Sequence, residues 1–437
     1  MIMKRSINTY ILVLFAVASV LPSCKKEYPN LNGPTVEEYA KNASKDQLNG
    51  LVAGSLSGMR INDGIYLDAV GVIGREMYRF SNADPRYVTE LLGSGSTTLN
   101  NTGFYITNPW ATRNRVVKNC NGLIEAATNS TSITDEERKG YTGFGKTLKA
   151  FELLLNLNLT YTNGIRVDVA DPNNLGPILN YDESINAISS LLDEAKTDLS
   201  GATIAFPLTD GFAGFDDAAG LTKFNRALAA RVDVYRKQWA AALTDLSESF
   251  FDLNGDFYLG VNEVFSTGSG DVLNPAYFDQ NSSGEVRLAH PSYASDIAPN
   301  DDRIGKATLR NTPASDPSGL SSDRDVWVYT SSTAPIPIVR NEELILIYAE
   351  AKIQTNALPE AVTALNVIRA GHNLSPYVGA VTQDALVDEM LTQRRYSLFY
   401  EGHRWIDVRR YDKLNTLPID RPNDDVWSAM PIPQTEQ

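Results

Sequence analysis

Apolar positions recur at helical spacing in two blocks of the chain, and polar, turn-rich segments separate them. The first block predicts helices over 115–128, 136–161, 182–199, 222–236 and 239–251; the second predicts helices over 341–355, 359–370 and 384–400. Short loops join several of these into pairs. In the clearest pair Leu344, Ile347, Tyr348 and Ala351 share one face, and Val362, Leu365 and Ile368 of the next helix face back. Pro359 opens that second helix and Gly371 closes it. Small residues at Ala349, Ala351, Ala361 and Ala364 let the two approach closely, as in tetratricopeptide units, although no strict repeat of about 34 residues is visible.

Between the blocks, over 254–337, Gly, Ser, Asn, Asp and Pro dominate, and the stretches 266–270 and 311–319 read as loops. Regular helix is not expected there. A second irregular region is expected over 54–109, which carries Gly93-Ser94-Gly95-Ser96 and many aromatics. Loops of this length in a compact protein are functional or disordered, and aromatic content argues for order. The expected fold is mainly α: a single domain over 24–437, with a paired-helix, tetratricopeptide-like scaffold at about 110–253 and 338–412. The two irregular regions are expected to form one ligand-facing side.

The N-terminus changes the picture of location. Lys4 and Arg5 precede an apolar run from Ile11 to Leu21, which ends in Leu21-Pro22-Ser23-Cys24. The run is too short to cross a hydrocarbon core of about 30 Å, and it reads as an export signal over 1–23. Cys directly at the cleavage point, before Lys25, Lys26 and Glu27, is what a bacterial lipoprotein signal looks like, with Cys24 as the lipidated first residue. A plain secretory peptide with an incidental Cys is the other reading. Each buried methylene of an acyl chain contributes about 0.8 kcal/mol, so a multiply acylated Cys24, carrying palmitate-type chains, anchors the protein. Cys120 is then the one remaining thiol, no intrachain disulfide can form, and Cys120 is expected to pack as a buried thiol. Loss of Lys4 and Arg5 moves the formal charge from −14 to −16, 37 basic against 53 acidic residues. So acidic a chain does not suit nucleic acid or an anionic membrane surface; a neutral or cationic ligand fits better.

Near the C-terminus, residues 394–410 read Arg-Arg-Tyr-Ser-Leu-Phe-Tyr-Glu-Gly-His-Arg-Trp-Ile-Asp-Val-Arg-Arg. Val387, Leu391 and Leu398 place the start of this run on a helix that Gly402 is expected to end as a left-handed cap. Glu401 and Asp407 can each take a planar guanidinium bidentately, so the arginines are expected in a partly buried charge network that staples the scaffold. The run resembles the C-terminal signature of the SusD/RagB family, approximately Glu-Arg-Arg-x-Glu-Leu-x-x-Glu-Gly-x-Arg-Trp-x-Asp-Leu-Arg-Arg. It departs at Gln393 and Ser397, where the family usually has Glu, so two anionic partners for the arginines are missing. Pro335-Ile336-Pro337-Ile338-Val339-Arg340, the stretch 343–353 and the closing Met430-Pro431-Ile432-Pro433-Gln434-Thr435-Glu436 agree with the same family.

That resemblance implies an outer-membrane, lipid-anchored, cell-surface protein. It would capture oligosaccharides or polysaccharides and pass them to a TonB-dependent transporter barrel, closing over it as a lid. Capture of peptides, as in RagB-like members, is a variant within the family. A glycoside hydrolase and a protein-binding adaptor are the readings outside it.

Catalytic and metal signatures are absent. His290, His372 and His403 lie far apart without Cys partners, so no zinc spacing exists, and no nucleophile elbow, phosphate loop or dinucleotide fingerprint occurs. A glycosidase needs only two carboxylates, which sequence alone does not locate. Residues 252–263 carry oxygen ligands at positions 1, 3, 5 and 12 of a calcium loop, but position 6 is Phe257 where the turn calls for Gly. An Asn-Gly-Asp turn accounts for the same residues without metal, and neither metal nor cofactor is expected. A sugar site needs a flat ring to stack on and polar groups at its rim. Asn62, Asp63, Tyr66 and Asp68, Trp110, and Arg324 with Trp327 and Tyr329 are the candidate ligand contacts. Burial in the core is the competing role for each Trp.

Overall fold

A computed structural model describes residues 40–436, so the export signal and Cys24 lie outside the described residues. Ser44 opens α1 (Lys45–Met59) with a capping box closed by Gln47. A one-turn break leads to α2 (Asp63–Ile73), which is apolar almost all round and buried almost throughout. β1 (Met77–Ser81) and the single turn α3 (Arg86–Thr89) precede α4 (Phe104–Asn129), which keeps Pro109 inside its second turn. Residues 54–109, expected to be irregular, thus carry the end of α1, the whole of α2, a strand, a one-turn helix and the start of the long α4. α2 escaped notice because a helix buried on every side has no polar stripe to mark its period. Pro109 reads as a breaker from sequence alone.

The long helices begin where the periodicity begins. Thr134 and Glu137 form a capping box on α5 (Asp135–Thr160). After the short pair β2 (Ile165–Arg166) and β3 (Ile178–Leu179), Asn180 and Glu183 do the same on α6 (Tyr181–Leu199). α7 (Ala218–Tyr235), opened by Asp217, and α8 (Trp239–Glu248) complete the first block. α4 packs on α5, α5 on α6, α6 on α7 and α7 on α8, each helix against the next.

The expected irregular half is built on strands. β4 (Gly260–Glu263), β5 (Glu285–Ala289), the short α9 (Pro291–Asp296), β6 (Ala307–Ser315), β7 (Ser321–Val326) and β8 (Ile336–Arg340) follow in turn. The first strand joins the later ones in a four-stranded antiparallel sheet ordered β1-β5-β7-β6, while β4 pairs with β8.

The second helical block is α10 (Asn341–Gln354), α11 (Leu358–Gly371), α12 (Gln383–Ser397) and α13 (Arg404–Arg410). The helix hairpin is present, and Val362, Leu365 and Ile368 of α11 pack in it as expected, but most of the facing residues of α10 differ. Ile345, Leu346, Ala349 and Ile353 meet Ala361, Ala364, Leu365 and Ile368, while Leu344, Ile347 and Ala351 turn to the main core. α10 is buried on both sides and so offers no single apolar face to read.

The signature run forms the expected charge network with different pairings. Glu401 is held bidentately by Arg340, from outside the run, at 2.9 Å to each oxygen. Asp407 bridges Arg394 at 2.6 Å and Arg410 at 3.0 Å, one oxygen to each. Arg409 lies on the rings of Tyr161 and Trp405, 4.0 and 4.5 Å from their centroids. α12 stops at Ser397, earlier than expected, and Gly402, at φ +84°, serves the turn into α13. Gln393 and Ser397 both accept hydrogen bonds from Arg303, at 2.8 and 2.9 Å, and Asp301 neutralises that arginine with contacts of 2.8 and 2.6 Å.

Candidate functional site

The segment 274–282 between β4 and β5 is tied down at both ends, at one of them to β6 and β7. At one end buried Asn274 donates to Ala334 O at 2.7 Å, and its backbone N–H donates to Ser332 O at 2.8 Å. At the other end Asn281 N donates to Asp325 Oδ2 at 2.7 Å, and Arg310 Nη2 donates to Ser282 O at 2.7 Å. Gln280 Nε2 donates to Thr308 Oγ1 at 2.8 Å. Between the ties Tyr277 lies beside Trp327, ring centroids 6.0 Å apart and planes inclined by 52°. Both rings are half-buried, each keeping part of its surface in solvent. The Tyr277 hydroxyl donates to Asp279, which raises the pKa of the phenol. Asp279 and Gln280 are exposed at the rim. Two half-open rings flanked by a carboxylate and an amide suit the apolar C–H face and hydroxyl rim of a sugar.

The platform rests on a buried charge network. β1 and β5 put Arg79 directly opposite Arg287, an arrangement that needs an anion between the two guanidinium groups. Asp68, on α2 and only 1% exposed, supplies it. Arg287 donates to its two oxygens at 2.6 and 2.9 Å, and Arg79 Nε lies at 3.4 Å. The Phe278 ring then covers both cations, 4.0 Å from the Arg287 guanidinium and 4.8 Å from that of Arg79. Tyr400 of the signature run donates its hydroxyl to Asp68 at 2.7 Å. Signature, ion network and platform are therefore one connected construction.

The sequence-derived contacts separate on this surface. Trp327 is in the platform, and Arg324 is nearby on β7 but spends Nη1 on Ala307 O at 2.7 Å. Tyr329 is buried and donates to Tyr400 O at 3.3 Å. Asn62, Asp63, Tyr66 and Asp68 do not form an open cluster. Asp63 is ion-paired to Arg113, Tyr66 is 3% exposed, and Asn62 Nδ2 donates to Thr112 Oγ1 at 2.8 Å. Trp110 is packed in α4 and donates to Glu436 Oε1 at 3.2 Å, so it anchors the C-terminus rather than facing a ligand. Tyr277, Phe278, Asp279 and Gln280 were not anticipated. Their signal was an aromatic pair flanked by Asp and Asn in a turn-rich stretch, the same rule that picked out Trp327.

Other candidate chemistry is accounted for by local structure. Asp252 Oδ1 accepts from Asn254 N and Asp256 Oδ1 from Tyr258 N, each at 2.9 Å, so both carboxylates stabilise their own turns. His372 bridges Asp302 at 2.8 Å and Glu342 at 2.6 Å, and His290 contacts Ser292 and Asp420. Burial pushes the His403 imidazole pKa down to about 4. Among the described residues no group of three or more His, Cys, Asp and Glu side chains is placed to hold a metal. Cys120 is buried and unpaired, and burial raises its thiol pKa to about 12.

Comparison with known proteins agrees with this architecture. Residues 308–432, from β6 through the signature run to the closing segment, match the model of the SusD family. Among solved structures, surface glycan-binding protein A from Bacteroides thetaiotaomicron superposes with a TM-score of 0.69 at 13% identity, over 91% of this chain and 97% of that one. The same protein in complex with laminarihexaose matches with the same TM-score and identity, over 90% and 97%. A SusD-like carbohydrate binding protein from Bacteroides vulgatus gives 0.64 at 18% identity, over 84% of each chain. Among curated proteins none matches. Residues 308–432, signature included, thus match the SusD family in sequence, and the chain shares the SusD-like fold over most of its length.

Proposed function

We propose that the chain is a surface glycan-binding lipoprotein that captures a neutral oligosaccharide on the Tyr277–Trp327 platform. The observation that carries this reading is the half-open aromatic pair with Asp279 and Gln280 at its rim, on a fold shared with a protein solved with laminarihexaose bound. Stacking on an aromatic face is tolerant of sequence but demands a flat, partly exposed ring held rigidly, and the two asparagine ties supply the rigidity. Delivery to a TonB-dependent outer-membrane transporter, with the chain acting as its lid, is part of the proposal. So is an outer-membrane, cell-surface anchor through lipidated Cys24. Among the described residues no helix is long and apolar enough to cross a membrane.

The role proposed is binding without hydrolysis. At the platform Asp325 is taken up by Arg310 and by Asn281 N, which leaves Asp279 as the exposed carboxylate beside the rings. Incubation with a panel of neutral polysaccharides should give retention without new reducing ends. Release of reducing ends by the purified chain would replace the binder with a hydrolase.

A further inference from the structure

Apart from the platform, a cavity of about 320 Å3 lies between the C-terminal end of α1, the turn from Pro207 to Phe212, β4 and β8. Its wall is mainly apolar, with Leu56, Met59, Leu208, Phe212 and Ile338 among the lining side chains. Two polar residues of β4, Asn262 and Glu263, also line it. Glu263 is 7% exposed, and its Oε2 has no hydrogen-bond partner among the described residues. A buried carboxyl oxygen without a partner is costly, and it calls for an explanation.

The charges around Glu263 do not balance. Arg113 of α4 is the buried guanidinium here, and it faces Asp63 of α2 and Glu152 of α5, the latter at 3.4 Å, before Glu263 is counted. Arg60, at the end of α1, donates to Asp271 Oδ1 at 2.6 Å and Val264 O at 2.8 Å, and is committed to them. Two cations therefore serve four carboxyl groups. Burial, and then the neighbouring Asp63, push the Glu263 carboxyl well above the usual carboxylate range, which favours its protonated form in the free protein.

We propose that this cavity binds a small organic ammonium ion with an apolar body, the body filling the space beside Leu56 and Phe212 and the N–H groups donating to Glu263. The ammonium takes the place of the proton and supplies the missing positive charge. A neutral molecule of the same shape would bury its polar end beside a carboxyl that stays protonated, gaining a weaker hydrogen bond. Neither the site nor the ligand class depends on the glycan platform.

Titration calorimetry of the full chain with n-hexylamine at pH 7, in phosphate and in HEPES, tests the proposal. The buffer dependence of the heat should report release of about one proton per amine bound. Hexan-1-ol should bind at least about tenfold more weakly than the amine. Glu263→Gln should weaken amine binding by at least about tenfold and abolish proton release. Leu56→Trp, which fills the cavity and leaves the carboxyl intact, should abolish binding while the circular dichroism spectrum is kept. No binding of hexylamine at millimolar concentration, equal affinity for amine and alcohol, or an unchanged affinity in Leu56→Trp would each overturn it.

Discussion

Asp68 shows how a residue can matter to a site it does not touch. As a short acid near Tyr66 it looked like a ligand contact, yet it lies beneath the platform, between two arginines that the β1–β5 register forces together. With Arg287 held, Phe278 has a cation to cover, and the segment bearing Tyr277 has a floor. Asp68→Ala would leave the buried Arg287 unpaired, Arg79 keeping Glu285, at a cost of about 3–5 kcal/mol, which confounds a binding test with unfolding. Phe278→Leu is the cleaner probe. It keeps apolar volume but removes the aromatic face, so stability should fall by only about 1 kcal/mol while glycan affinity falls several-fold. Denaturant unfolding and glycan titration on the same preparation check this, and an unchanged affinity would detach Phe278 from the site. Residue type and local spacing could nominate Trp327, because its ring and its turn-rich setting are local properties. They could not separate it from Trp110, because Trp110 is buried in a core assembled from distant segments and bonds to Glu436 far along the chain.

At the scale of elements, legibility followed amphipathicity. α5 and α6 each have a polar stripe and a capping box, and their limits were read to within a residue. α2 and α10, buried on most sides, were respectively missed and read with the wrong facing residues, because their partners come from both sides of the fold. The signature run teaches a related lesson. Gln393 and Ser397 looked like lost anions that would weaken the arginine network. The lost charge is instead supplied from another element, by Asp301, two residues before the arginine it neutralises. Asp301→Asn should therefore destabilise the fold by about 3–5 kcal/mol, the cost of stripping a buried arginine of its partner. Gln393→Glu, which restores the family's usual acid beside Arg303, should recover a large part of that loss when combined with Asp301→Asn. Additive destabilisation in this double-mutant cycle would show that the two positions do not serve the same charge.

In the whole molecule, paired helices carry the β-rich half, and the platform sits where that half presents two rings to solvent. Gly64 marks how closely the two halves meet, since a Cβ there would lie 2.5 Å from Pro275 O, just ahead of Tyr277. The fold class and the likeness to the SusD family were legible because a signature run and a helical period are local. The site was half legible, because Tyr277 and Trp327 are brought together by a sheet whose strand order is not written in any one segment. The measurement that tests the account most directly is affinity electrophoresis of the chain, Trp327→Ala and Tyr277→Ala against neutral polysaccharides, with circular dichroism as the check on folding. The account predicts that at least one polysaccharide retards the parent chain and that either substitution abolishes the retardation with the fold intact; undiminished retardation of both folded variants would contradict it.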